Sequence, residues 1–235
     1  VIRSCIQAIA SASTRPRSSA LAAGSRTMRK SPSTRSTIQV LLVVTFFLHL
    51  LFVNITLGGS LLAWVAHLRS GGSTDDPRGT LAARLTAVNG YGISLTITTG
   101  VAPLLFLQVI YHQFFYTGTI LIGSLWLSML VFLTLGYYAV YLYKFKGLPA
   151  GRPGGGVWLW IGALFFMVIG GIQVAVHLVS VRPDTWSGIA ANSWGFLADP
   201  TFFPRYLHFL FAGLMFSAIL TAWWAVRQVG RGVDV

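Results

Sequence analysis

Five long apolar runs dictate what this chain can fold into. They cover approximately residues 38–67, 84–115, 118–144, 156–181 and 203–228, and each exceeds the ~20 helical residues that cross a ~30 Å hydrocarbon core. A backbone in lipid must satisfy its own N–H and C=O groups, which leaves helices or closed barrels. These runs lack the period-two alternation of barrel strands. The expected fold class is therefore all-α, a polytopic integral membrane protein with five transmembrane helices bundled within residues 37–235. Composition agrees, since 54% of the 235 residues are hydrophobic and only 9% charged, against about 25% charged in soluble domains.

The net charge of +12 invites a nucleic-acid reading, but seven of the 17 Lys and Arg residues precede residue 37. Most others flank apolar runs, where they set topology and meet lipid headgroups. The partner expected is the lipid bilayer, not nucleic acid. Residues 1–36 are rich in Ser, Arg and Ala and contain no acid. They read as a disordered basic tail with a faint transit-peptide composition, and Met28 is an alternative start. The single Cys5 excludes a disulfide framework or thiolate metal site.

The short joint Phe115-Tyr116-Thr117-Gly118 predicts that the second and third helices are antiparallel neighbours. Gly147–Gly156 reads as a flexible loop without the strand or Lys of a phosphate-binding loop. Residues 182–202 carry Pro183, Trp186, Trp194, Phe196, Pro200 and Phe202. That composition suits an interfacial linker, or a lid over a cofactor or quinone.

Histidine placement is the chemical signal. His49, His112, His177 and His208 belong to four different apolar runs. Because helix direction alternates, all four are expected at matching depths in one leaflet, close enough to grip a macrocycle. His67 ends the first run on the opposite side and reads as a solvated terminus. Intramembrane ionisable groups mark functional sites by default, and imidazole is a common axial ligand of haem. His49 shares a helical face with Thr45, Thr56 and Ser60, and Gly58 and Gly59 leave room for close packing. Gln108 precedes His112, and Gln173 precedes His177, by one turn. An amide there can hold the second nitrogen of a ligating ring, whereas the alternative is an imidazole that snorkels to water. Arg205, about one turn before His208, can pair with a haem propionate or with lipid phosphate.

A bare copper or zinc site would be expected to add acidic ligands. The chain has no Glu, and Asp75, Asp76, Asp184, Asp199 and Asp234 all lie outside the apolar runs. That also disfavours a carboxylate-based pump and hydrolytic triads or carboxylate pairs. Counted from Met28, the histidine side carries Arg29, Lys30, Arg35, Arg182 and Arg205. The opposite side carries Arg69, Arg78, Arg84, Lys144, Lys146, Arg152, Arg227 and Arg231. The positive-inside rule then places the C-terminus in the cytoplasm, as in a bacterial inner-membrane protein.

The run Phe47-Leu48-His49-Leu50-Leu51-Phe52-Val53-Asn54-Ile55-Thr56-Leu57-Gly58 resembles the first helix of subunit I of cytochrome bd quinol oxidase. Tyr206-Leu207-His208-Phe209 through Ala222-Trp223-Trp224 is similar to that subunit's fifth helix, and Thr99-Gly100-Val101-Ala102 to a segment of its second. The resemblance implies that His49 ligates a haem of the high-spin pair and His208 the low-spin b haem. The family subunit is about twice as long. Its second half, with a methionine and a glutamate ligand, has no counterpart here, nor has its quinol-binding loop. A family membrane glutamate falls near Gln108. The resemblance thus implies a half-size relative holding one or two b haems, with His112 and His177 replacing lost ligands. The pairs suggested are His177 with His208 and His49 with His112.

The function expected is a membrane b-type haem electron-transfer subunit working between a quinone pool and a partner subunit or c-type cytochrome. Any enzymatic role would be as an oxidoreductase subunit. The alternatives are a cofactor-free structural or assembly subunit and one half of a split bd-like oxidase; a transporter or channel is disfavoured by the acid-free runs. Oligomerisation is left open.

Overall fold

The computed structural model describes residues 32–147 and 155–229. Among them every regular element is helical, and five helices are long and apolar enough to cross a membrane. Helix α1 spans Pro32–Arg69, 38 residues, about 57 Å at 1.5 Å per residue. It opens on Pro32, whose fixed φ suits a first helical position, so Pro32–Ser36 are helical rather than part of a disordered tail. Residues 1–31, with Met28, lie outside the described residues. Gly71 and Gly72 stop the helix with φ of +61° and +83°. Their N–H groups donate to Leu68 and His67 carbonyls, both at 3.3 Å, a Schellman cap that only glycine enters without strain.

Helix α2 spans Pro77–Ile110; the Asp76 side chain accepts the Arg78 N–H at its start. Hydropathy places this helix seven residues late because its opening residues 77–83, which include Arg78, precede the apolar run. The chain then breaks at Tyr111, starts α3 at His112–Leu121, breaks again at Ile122, and continues as α4 over Gly123–Leu142 with a π turn at Tyr143–Gly147. The joint predicted at 115–118 is thus helical. Gly118 instead packs against Ser180. The expected pairing of the second and third spans is also corrected: α2 lies mainly on α1, while α4 lies mainly on α5 (Gly156–Val181). Of the expected loop at 147–156, residues 148–154 fall outside the described ones, and Gly156 already begins α5. After α5 come the short α6 (Trp186–Ala191) and then α7 (Phe202–Val229).

The α1–α2 hairpin is antiparallel: His49 faces Thr96 near one end while Ser60 faces Asn89 nearer the turn. Helix α7 crosses α1 at small residues. A Cβ on Gly58 would collide with the Gly213 carbonyl, and Ser217 donates to the Asn54 carbonyl at 2.8 Å. Lipid offers no hydrophobic drive for helix association, so such close approach and interhelical hydrogen bonds carry the packing. Helices α5 and α7 meet through Gly170 and Gly171 against Phe209 and Tyr206. Tyr206 donates to the Met167 carbonyl at 3.0 Å.

These contacts define two ends. The hairpin end holds the 70–76 turn, the close of α4 and the start of α5. The loop end holds α3, the 182–201 segment and the start of α7. At the loop end Leu121, Ile122, Leu178, Val179, Ile189, Phe196 and Phe202 form a buried cluster. Mid-bundle, Leu57, Ile93, Val140 and Phe166 form another.

Candidate functional site

His49 sits where α1 meets α2. Its Nδ1 lies 3.0 Å from the Thr96 carbonyl oxygen. A carbonyl only accepts, so Nδ1 carries the proton and a neutral ring keeps a lone pair on Nε2. Gly100 makes room for the ring: a Cβ there would lie 2.8 Å from His49 Cε1. The backbone thus fixes both tautomer and orientation, as the outer partners of metal-ligating histidines do.

A polar seam continues from this point toward the hairpin end. Thr56 and Thr96 hydroxyls are 3.0 Å apart, and Ser60 donates to the Thr56 carbonyl at 2.7 Å. Asn89 donates to the same carbonyl at 3.2 Å and to Ser60 Oγ at 2.5 Å. Thr56, Ser60 and Asn89 are buried. The face of α1 read from sequence (His49, Thr56, Ser60) is therefore the α2-facing seam; Thr45 instead bonds back to Leu41 and Leu42 carbonyls.

The other three histidines of the expected cluster are exposed. His112 opens α3, beyond the end of α2. His49 faces residues 96–100, 12 to 16 positions before His112, roughly 18–24 Å along the axis. That separation removes the suggested His49–His112 pair, because two axial ligands share one iron. His177, near the end of α5, has the Arg205 guanidinium within electrostatic reach. His208 lies beside Phe209, which meets Gly170, so it stands about seven residues, roughly 10 Å, nearer the mid-bundle than His177. Among the described residues no three His, Cys, Asp or Glu side chains group closely enough to hold a metal ion. All four lie toward the loop end, as chain direction requires, but they do not converge on one point. Alternation of direction fixes which half of the bundle a residue occupies, not its depth, and these helices differ in length and offset.

The glutamines also turn elsewhere. Gln108 Oε1 accepts from the Tyr116 hydroxyl at 3.5 Å, and Gln173 Nε2 lies 3.3 Å from the Met129 sulfur. Neither amide bonds the imidazole one turn on. Arg205 is exposed.

The most buried histidine is one that the sequence does not announce. His67 is 4% exposed, not a solvated terminus, and its Nδ1 is 3.0 Å from the Tyr143 hydroxyl. The rings meet edge to face, 5.3 Å between centroids. Gly156 closes over the imidazole, where a Cβ would lie 2.6 Å from Cδ2. A glycine at the start of α5 and a tyrosine at the end of α4 create this pocket. Tyr143 is 76 residues away in sequence and Gly156 farther still, so no local pattern marks it.

The 182–202 segment is an ordered cap. Arg182 bridges Asp199 at 3.0 Å and Asp184 at 3.3 Å, and Trp186 Nε1 donates to the Val179 carbonyl at 2.8 Å. Hydrogen bonds from Thr201, followed by the nearby Arg182 and Arg205 charges, hold the Asp199 carboxyl below its ordinary value of 3.8. A cleft of about 470 Å³ lies beneath, lined by Leu178, Thr185, Ser187, Asn192 and Phe196 among others. Comparison with protein-family models, curated proteins and solved structures finds no match to this chain.

Proposed function

We propose that this chain is a membrane b-type haem electron-transfer subunit, passing electrons between a quinone pool and a partner subunit or c-type cytochrome. The observation that carries the reading is His49, an intramembrane imidazole whose Nδ1–H is committed to the Thr96 carbonyl. That arrangement leaves Nε2 suited to an iron, so the residue fits the group in donor chemistry. When bound, haem supplies reversible one-electron storage. The chain's own contribution is to hold the ring: Thr96 sets the tautomer and Gly100 leaves space beside it. His208 or His177 would supply a second ligand from the loop end, and Arg205, close to both in sequence or space, would offset a carboxylate there. One haem is the number a single committed imidazole supports. The protein contacts lipid along its five spans; among the described residues the hairpin end carries Arg69, Arg78, Arg84, Lys144, Lys146 and Arg227 against Arg35, Arg182 and Arg205 at the loop end, which favours a cytoplasmic C-terminus, and we assign the chain to a bacterial inner membrane.

The test is a reduced-minus-oxidised spectrum of protein purified from membranes. A b-type Soret and alpha band is expected, lost in His49→Ala and in Gly100→Val, whose added side chain displaces the ring. A colourless, folded wild-type protein would overturn the haem reading. A cofactor-free assembly subunit would then be the better account, favoured by the exposure of His112, His177 and His208.

A further inference from the structure

At the hairpin end, opposite the exposed histidines, two arginines lie on adjacent tryptophans of α7. The Arg227 guanidinium stacks 4.0 Å from the Trp223 ring centroid. The Arg84 guanidinium, reaching across from α2, lies 5.1 Å from the Trp224 centroid. Both arginines are exposed, and Trp223 is 52% exposed. Arg84 stands seven residues into α2 and Arg227 in the last turn of α7, so both occupy the headgroup level where tryptophan rings prefer to sit. Neither has a carboxylate: among the described residues the ion pairs are those of Arg182 with Asp184 and Asp199, at the other end. Asp76 at this end is spent on capping α2.

We propose that Arg84, Trp224, Trp223 and Arg227 form a binding site for the phosphodiester headgroup of an anionic phospholipid. A guanidinium lying over an indole is immobilised and partly desolvated on one face, while its N–H edge stays free for bidentate contact with phosphate oxygens. The adjoining indoles present apolar surface to the upper acyl chain. A uniform basic surface would attract anionic lipid diffusely; pre-oriented donors on a rigid platform select a bound molecule. The site does not depend on any cofactor.

The test uses wild-type protein reconstituted in phosphatidylcholine vesicles with trace spin-labelled phosphatidylglycerol or phosphatidylcholine. The motionally restricted fraction is expected to favour phosphatidylglycerol, and each of Arg84→Gln and Arg227→Gln is expected to cut that preference about fivefold or less, the effect of one interfacial cation. Trp223→Leu with Trp224→Leu should reduce it with charge unchanged, and helicity and a monodisperse elution profile verify folding. Equal losses in Arg69→Gln or Arg78→Gln would overturn the site in favour of a diffuse field, as would equal affinity for the two lipids. Displacement of the label by millimolar glycerol phosphate in the aqueous phase would overturn the lipid as occupant.

Discussion

The two ends of the bundle treat histidine in opposite ways. At the loop end, His112, His177 and His208 sit within or beside strongly apolar runs, yet their side chains are exposed. At the hairpin end, His67 lies next to Leu68, Arg69 and two glycines, yet it is covered almost completely by Tyr143 and Gly156. Burial of an imidazole is decided by what crosses it from other helices, not by the hydropathy of its own. His49 falls between, half-buried against a glycine of α2, and it alone of the loop-end four has its ring nitrogen bonded to backbone.

The sharpest challenge to this contrast is His67→Ala. It empties a packed pocket and strands the Tyr143 hydroxyl, and a loss of about 2–4 kcal/mol in stability is expected, read by thermal unfolding in detergent. A loss below about 0.5 kcal/mol would mean the pocket is not closed in the membrane. Next, His112→Ala should change stability by about 0.5 kcal/mol or less, as exposed substitutions do. If it matched His67→Ala in the same assay, that ring would be covered by something, such as a partner chain, and the comparison would reverse.

The smallest effect is confined to the loop-end cap. Asp199 has a carboxyl held below its ordinary 3.8, so its charged form is favoured by folding. The stabilisation is present above that value and is lost as pH falls through the lower folded value. Fluorescence of Trp186, tethered to Val179, should stay constant from pH 7 to about 4 and change only below, with Asp199→Asn removing the step. A transition near pH 6 would assign the change to a histidine instead.

The five spans are readable in the sequence because lipid imposes a length and an apolar composition that few other environments require. Their outer turns are not: Asp76, Pro77 and Arg78 make a sound helix start that hydropathy discards. The break at Tyr111 carries no Pro or Gly to mark it, whereas Gly118, which reads as a turn residue, serves packing against Ser180. For the site, the α1 face of His49, Thr56 and Ser60 is legible from helical spacing, but its partners Asn89, Thr96 and Gly100 are not. Depth is the main failure. Four histidines on the same side of a membrane need not be level, because the offset between helices is fixed by crossings such as Gly58 with Gly213 that no single helix records.

The length of α1 has a mechanical consequence. Its apolar stretch at residues 38–67 would measure about 45 Å, half as long again as a hydrocarbon core of ~30 Å. Fitting it by inclination alone would demand nearly 50° from the bilayer normal, outside the usual range of up to ~40°. Since Val40, Val43, Val44 and Phe47 are all more than half exposed, the surplus has no cover from the bundle itself. The surrounding bilayer must thicken there, or another chain must sheath those turns, and this hydrophobic mismatch would sort the protein toward thick membranes or toward assembly.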